Sequence, residues 1–481
     1  MVWSLSDQKT DEPYLNNKFS TFKFDEDHIL ITTDHGSWVV LSKEEYKLFR
    51  LGNLNKDTNL FNVLEDKGII VTEKNIEKII RDFRERYHFL FKGPTLHIVI
   101  PTFRCNMKCV YCHSLSKDIK DKKYDMDEET AKSIVNFIFK SPSENLVIEF
   151  QGGESLVNFD ALKTIIEYAE KVAKKTKKKV LFNIVTNLTM MTEEKLDFLI
   201  KHNIMGLATS LDGPQELHDK NRKYSSNKGT YEEIVHWIKL IKTKYKKNFN
   251  LNALTTITRD SLSYPTEIPD ELFKLGFDGV WLRFMNNMGF ANQRWKKIGY
   301  TPGEYMNFWE KSSEHILKMN KEKNFIEIMT TILLKKILNK KDPMFVDIQS
   351  PCGAAITQIL YDYKGDIYPC DESKIYPIFK LGNTKKSSYN EIFNQKTTKT
   401  MIDISSKYAT LCDACPWSPF CGICLVNIYK STGTIVPKLP EDFRCKIFKK
   451  MHESIFRNLI FSKNHREIYL KWLKKEKAMG E

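Results

Sequence analysis

The stretch RCNMKCVYCHS, residues 104–114, sets Cys105, Cys109 and Cys112 at C-x3-C-x2-C spacing. Three thiolates can hold three irons of a 4Fe-4S cluster and leave the fourth iron open to an exogenous ligand, which suits catalysis. A structural zinc site would want a fourth protein ligand, for which His113 is the local candidate. Adjacent to Cys112, His113 is poorly placed to fold back onto the same metal, and otherwise reads as a loop residue near the cluster. The other seven of the ten cysteines, Cys352, Cys370, Cys412, Cys415, Cys421, Cys424 and Cys445, gather far downstream in a segment poor in periodicity. Such a segment is expected to fold around metal, and its C-x2-C pairs leave zinc as an alternative to iron-sulfur.

The elements that position these groups change character along the chain. Between residues 18 and 92, HILITTDHGSWVVLS reads as a hairpin about Asp34-His35-Gly36, followed by helical patterns in KEEYKLFRLG and EKNIEKIIRDFRERY. This predicts a small α+β module, winged-helix-like by pattern. From Leu96 onward six strands, LHIVIPT, NLVIEFQ, VLFNIVTN, IMGLATSLD, FNLNALTTIT and GVWLRFMN, alternate with helices. That rhythm predicts a parallel sheet, either doubly wound or an incomplete barrel, with its chemistry at the C-terminal strand ends. The three-cysteine loop follows the first of these strands. A long helical connection, EYMNFWEKSSEHILKMNKEKNFIEIMTTILLKKILN, leads to the cysteine-rich segment, and a basic helix closes the chain.

At 481 residues the chain is too long for one compact core. No apolar run approaches the roughly 18–20 residues of a membrane helix. The opening MVWSLSDQKTDEPYLNN lacks the features of a secretory signal, so a cytoplasmic, reducing location is expected, where cysteines serve as ligands or catalytic thiols. The net charge of +14 comes largely from lysines spread along helix faces, as in KVAKKTKKKV, and reads as a solvated surface; no nucleic-acid-binding motif accompanies it.

The loop, with Tyr111 before its third cysteine, resembles the signature of the radical S-adenosylmethionine (radical SAM) enzymes. The resemblance implies a partial (β/α)6 barrel in which the open iron is chelated by S-adenosylmethionine, whose reductive cleavage gives a 5′-deoxyadenosyl radical. It implies that Tyr111 packs beside the adenine and that Gly152, Gly153 and Glu154, in FQGGESL, engage the methionyl ammonium. Asn187, Ser210, Asp212 and Arg222, at later strand ends, would surround the ribose and carboxylate, and Gln151 would face the substrate.

The seven downstream cysteines resemble the SPASM domain, an auxiliary-cluster region of radical enzymes that modify peptides. The chain has two residues between Cys421 and Cys424 where that family usually has three. The resemblance gives Cys412, Cys415, Cys421 and Cys445 to one auxiliary 4Fe-4S cluster and leaves Cys352, Cys370 and Cys424 for another. Including the radical cluster, this makes three clusters. The second auxiliary cluster lacks the fourth cysteine of the sulfatase maturases, so its vacancy could take a substrate thiolate or amide, a water, or a noncysteine protein ligand. Asp371 matches an aspartate that in those maturases is a proposed substrate base; Glu372 is the alternative.

The wording around the cysteines is similar to the radical maturases of the His-Xaa-Ser peptide system. This implies oxidation, by crosslinking above all, of a ribosomally synthesised precursor peptide whose leader binds the N-terminal module. An external one-electron donor such as ferredoxin or flavodoxin would be needed. The alternative is anaerobic sulfatase maturation to formylglycine; other classes are an RNA-modifying radical enzyme and a noncatalytic zinc protein. The expected domains are 1–92 (peptide recognition), 93–300 (radical SAM partial barrel), 301–345 (helical bridge), 346–450 (SPASM) and 451–481 (C-terminal helix).

Overall fold

The computed structural model describes residues 14–204, 206–245, 250–437 and 442–480. The first 13 residues, where no secretory signal is read, lie outside them. No helix among the described residues is long and apolar enough to cross a membrane.

The N-terminal module is an antiparallel sheet of β1 (Phe19–Lys23), β2 (Ile29–Thr33) and β3 (Trp38–Leu41), followed by helices Lys43–Arg50, Asn59–Asp66 and Ile76–Arg86. The hairpin falls at the expected turn. Gly36 adopts φ +88°, and a Cβ there would stand 2.6 Å from the Arg86 guanidinium carbon, so the turn closes on that side chain. Ser42 and Glu45 form a capping box that starts the first helix.

The six expected core strands are β4 (Leu96–Val99), β5 (Asn145–Phe150), β6 (Lys179–Val185), β7 (Gly206–Ser210), β8 (Asn250–Ile257) and β9 (Gly279–Phe284). They are parallel and adjacent in chain order, the arrangement of a partial barrel. In β5, Leu146, Ile148 and Phe150 are buried toward the helices, while Val147 and Glu149 form the half-buried opposite row that lines the barrel interior.

Two features extend this sheet beyond the sequence expectation. The long connection is interrupted: helix Pro302–Met319 ends where Asn320 Nδ2 donates to the Ile316 and Phe325 carbonyls (2.8 and 2.6 Å), and β10 (Ile326–Glu327) then joins β9 before helix Ile328–Leu338 begins. At the opposite edge, β11 (Gln358–Tyr361) pairs parallel to β4, followed by antiparallel β12 (Asp366–Tyr368) and β13 (Gly382–Asn383). The cysteine-rich segment therefore shares one ten-stranded sheet with the barrel. Helices Phe443–Phe461 and Lys463–Gly480 pack back on the bridge, where buried Trp472 donates to Asn320 Oδ1 at 3.0 Å.

Candidate active site and cysteine clusters

The three-cysteine loop is held on both arms. Arg104–Cys105 pairs with Lys117–Asp118, and Arg104 donates to Asp125 Oδ1 at 2.7 Å and to the Ile119 carbonyl at 2.6 Å. The other side rests on the end of β5, where Gly153 N donates to Thr102 O (3.0 Å) and Glu154 N to Arg104 O (2.8 Å). A Cβ on Gly152 would lie 2.4 Å from Thr102 O, and one on Gly153 would lie 2.2 Å from Arg104 O. The close approach permitted by this glycine pair is therefore that of the cysteine loop's own backbone.

Glu154 is buried and ties two strand ends together. Its Oε1 accepts from Thr186 Oγ1 at 2.6 Å and its Oε2 from Asn187 N at 2.7 Å, while burial pushes its pKa up against these bonds. Asn187 Nδ2 reaches Asn106 Oδ1 at 3.1 Å and stands 3.9 Å from Cys105 Sγ. Burial raises the Cys105 thiol well above its ordinary range and Cys109 to about 11; the charges of neighbouring cysteines add to both shifts, so the three thiols share one electrostatic neighbourhood.

Tyr111, Asp212 and Arg222 come together, though their sequence positions are far apart. The Tyr111 hydroxyl donates to Asp212 at 2.9 Å and accepts from Arg222 Nη1 at 3.0 Å; Asn221 Nδ2 adds a bond to Asp212 at 3.1 Å. Burial lifts the Asp212 carboxyl to about 6, opposed by Arg222. The Arg222 guanidinium lies 5.9 Å over the Tyr111 ring, and among the described residues its buried Nε has no partner. That orphaned donor fits a carboxylate-bearing cosubstrate. Ser210, half-buried, ends β7 nearby in the sheet. Gln151 donates to Glu149 Oε1 at 2.7 Å, on the interior row of β5.

A contact that the sequence reading missed joins the two halves of the molecule. His113 Nε2 lies 2.9 Å from Asp371 Oδ2, and Lys374 Nζ lies 2.9 Å from the Asp371 carbonyl and 3.1 Å from His113 Nε2 while pairing with Asp371 Oδ1. Burial acts to raise the Asp371 pKa, but Lys374 and His113 outweigh it and hold the carboxylate well below its usual range. His113 is lowered, by burial first and then by Lys374. Glu149 faces this group across the interior; burial raises its pKa, Asp371 adds to the rise and Arg283 opposes it. A charged residue inside an otherwise apolar strand, as in NLVIEFQ and GVWLRFMN, is the signal that could have found Glu149 and Arg283.

The downstream cysteines form two neighbourhoods. Cys352, Cys370 and Cys424 line one cavity together with Asp347, Glu372, Ile423 and Met401. Burial pushes Cys352 and Cys424 to about 12 and Cys370 well above its ordinary value. Burial likewise raises Cys421, and the charges of Cys412, Cys415 and Cys445 add to it. Among the described residues, no three His, Cys, Asp or Glu side chains converge tightly enough for a single metal ion, and none of the ten cysteines is in a disulfide. All-thiol donor sets of three, three and four are those that iron-sulfur clusters use.

The N-terminal module docks against the third set. Buried Arg86 donates to Lys336 O at 2.7 Å and to Pro419 O at 2.8 Å, Thr32 Oγ1 donates to Pro416 O at 2.9 Å, and Phe22 packs on Trp417 at 4.9 Å between ring centroids.

Comparison with known proteins agrees with this geometry. Residues 99–263 match the radical SAM superfamily, and residues 352–416 match SPASM, an iron-sulfur cluster-binding domain. The cysteine-type anaerobic sulfatase-maturating enzyme of Clostridium novyi is 27% identical over 323 residues, covering 66% of this chain and 83% of that protein. A solved structure of native anSMEcpe with bound AdoMet and the Cp18Cys peptide superposes with a TM-score of 0.62 at 22% identity, covering 76% of this chain and 98% of the other. Streptococcus suis SuiB bound to its precursor peptide SuiA gives a TM-score of 0.52 at 14% identity, covering 90% of this chain and 98% of the other. The chain thus carries a radical SAM domain followed by a SPASM domain, which imply 4Fe-4S clusters and S-adenosylmethionine as cofactors.

Proposed function

From a radical SAM domain that shares its sheet with a SPASM domain, we propose that this enzyme oxidises a side chain of a peptide or protein substrate, in the manner of an anaerobic sulfatase maturase. The curated relatives favour sulfatase maturation over the peptide crosslinking expected from the wording around the cysteines. The observation that carries the reading is the Asp371 carboxylate, which follows Cys370 and is held against His113 of the radical loop.

Cys105, Cys109 and Cys112 would hold the radical cluster, which with S-adenosylmethionine supplies the deoxyadenosyl radical that abstracts substrate hydrogen. The chain's own residues do the rest. Tyr111, Asp212, Arg222, Asn187 and Ser210 would orient the cosubstrate, with the cysteine loop fixed on Gly152, Gly153 and Glu154. Gln151, Glu149 and Arg283 present a polar interior to the substrate. Asp371 Oδ would accept the substrate proton. Lys374 and His113 keep it ionised at neutral pH but also weaken it as a base, so transfer is favoured when a substrate group replaces one of them. Cys352, Cys370 and Cys424 would hold one auxiliary cluster and Cys412, Cys415, Cys421 and Cys445 the other, giving three in all, and the auxiliary clusters would accept the one electron left on the substrate radical once its proton has gone to Asp371. A ferredoxin or flavodoxin in the same reducing, cytoplasmic compartment would supply the external electron.

One observation favours precursor-peptide modification as a second reading: the N-terminal module is seated on the SPASM loop, and the likeness to SuiB extends over more of the chain than that to anSMEcpe. A single experiment separates the two. The reconstituted enzyme is incubated anaerobically with S-adenosylmethionine, reductant and either a sulfatase active-site peptide or candidate precursors. Formylglycine, captured by a hydrazine probe and located by tandem mass spectrometry, supports the first reading. A two-hydrogen loss without an aldehyde, in a precursor only, replaces it with the second.

A further inference from the structure

Three thiolates satisfy three irons of a four-iron cluster, so the set Cys352, Cys370 and Cys424 leaves one iron in want of a donor. The cavity that these cysteines line also contains two carboxylates, Asp347 and Glu372. They are not equivalent. Glu372 starts the turn Glu372–Ile375 directly after the Cys370-Asp371 corner, which is fixed by Ser373: Cys370 N donates to Ser373 Oγ at 3.2 Å, and Ser373 Oγ donates back to Cys370 O at 2.6 Å. The corner that aims the Cys370 sulfur therefore also aims the Glu372 carboxylate.

Glu372 is also braced as a ligand needs to be. Asn286 Nδ2 donates to its Oε1 at 3.0 Å, and Arg444 Nη1 stands 3.5 Å from the same oxygen. Both contacts fall on Oε1. Bracing of this kind orients a ligand and tunes the metal behind it. Arg444, buried over the rings of Phe284 and Phe448, pairs with Asp347 at 3.4 Å as well, so the cavity's negative charge has a fixed counter-ion. Carboxylate oxygen is an accepted donor to iron.

We propose that Glu372 is the fourth protein ligand of the cluster held by Cys352, Cys370 and Cys424, so that this auxiliary cluster is closed while the radical cluster is open. The inference rests on the assignment of those three cysteines to one cluster. On it, the peptide substrate does not bind through this iron, and the cluster's role is electron transfer.

The test uses full-length protein reconstituted anaerobically with Cys105, Cys109 and Cys112 all changed to alanine, which removes the radical cluster's own open iron. Carbon-13 cyanide is added to the reduced protein, and EPR with ENDOR reads whether any cluster binds it. With Glu372 present the spectrum is expected to stay unshifted, without carbon-13 coupling. With Glu372→Gln a shifted signal and a resolved coupling are expected at unchanged iron content, with Asp347→Asn as the silent control. Glu372→Cys should restore the closed spectrum and shows that the site still folds. Equal cyanide binding with and without the Glu372→Gln change would overturn the ligand assignment. If Cys352→Ala, Cys370→Ala and Cys424→Ala together leave iron content and spectrum unchanged, the underlying cluster assignment fails instead.

Discussion

The two cysteine trios match in number and differ in construction. Cys105, Cys109 and Cys112 come from one loop, pinned by backbone at the glycine pair that ends β5 and at the short ladder to Lys117–Asp118, with one side-chain pair, Arg104–Asp125, added. Cys352, Cys370 and Cys424 come from three separate segments and share a cavity only because β11 and β12 extend the barrel sheet and bring the Cys370 corner beneath the radical loop. A set assembled locally can be opened to a cosubstrate at little cost to the fold. A set gathered from distant segments depends on the whole fold and gains from side-chain braces.

Removing the local set should therefore leave the dispersed one standing. Changing Cys105, Cys109 and Cys112 to alanine is expected to reduce S-adenosylmethionine cleavage to background, with iron falling from about twelve to about eight per chain. Loss of all iron, read by metal analysis, would contradict independent assembly.

Asp371 lies where the two halves meet, so its loss should uncouple them. In Asp371→Asn, substrate oxidation should fall by about 100-fold or more, as for loss of a general base, while uncoupled cleavage to 5′-deoxyadenosine persists within about twofold. Equal loss of both activities would make Asp371 a positioning residue for the radical loop.

Gly153→Ala probes the backbone pinning. With a Cβ 2.2 Å from Arg104 O, the loop has to shift; a displacement of even an ångström at a reacting centre costs on the order of 100-fold. Cleavage should fall by about that factor while auxiliary iron is retained.

These elements differ in how far they could be read from sequence. The six core strands and the cysteine loop were legible because parallel strands are near-continuous apolar runs and the C-x3-C-x2-C spacing is local. Gly152 and Gly153 were legible as a site and not as to cause, since what crowds them is backbone from another segment. The His113–Asp371–Lys374 junction was illegible: its ends are 258 residues apart, and nothing in YPCDES or VYCHS specifies the other. The interruption at Asn320 was hidden because Asn320 ends its helix through bonds to carbonyls on both sides, which hydrophobic periodicity does not register. Tyr111, Asp212 and Arg222 could be singled out through family resemblance alone, and their bonds to one another could not, since no spacing rule joins those positions.

Smaller effects test the docking of the N-terminal module on the dispersed half. Arg86→Ala strips donors from the Lys336 and Pro419 carbonyls and leaves a cavity beside Phe420. A loss of about 2–4 kcal/mol is expected in denaturant unfolding, on the scale of breaking charged hydrogen bonds in a buried setting. The third cysteine set should lose iron first, and the radical loop should be spared.

The smallest effect is on pH dependence. Burial lowers His97 to about 3 and His452 to about 4. Between those values and the ordinary histidine value of about 6.5 each of these two sites binds more protons in the unfolded chain than in the folded one, so the two rings contribute stability that rises with pH, against raised carboxyls such as Asp212 that act the other way. Thermal melts between about pH 4.5 and 7 should show this as a more positive pH slope in wild-type apoprotein than in a His97→Phe, His452→Phe variant; equal slopes would contradict the buried neutral rings.

The most direct measurement is the yield of 5′-deoxyadenosine when anaerobically reconstituted, reduced enzyme meets S-adenosylmethionine, read against the Cys105, Cys109 and Cys112 triple alanine variant. The wild-type protein is predicted to form it and the variant to form none. Equal formation by both, or none by an iron-replete wild-type protein, would contradict a radical SAM centre on the RCNMKCVYCHS loop.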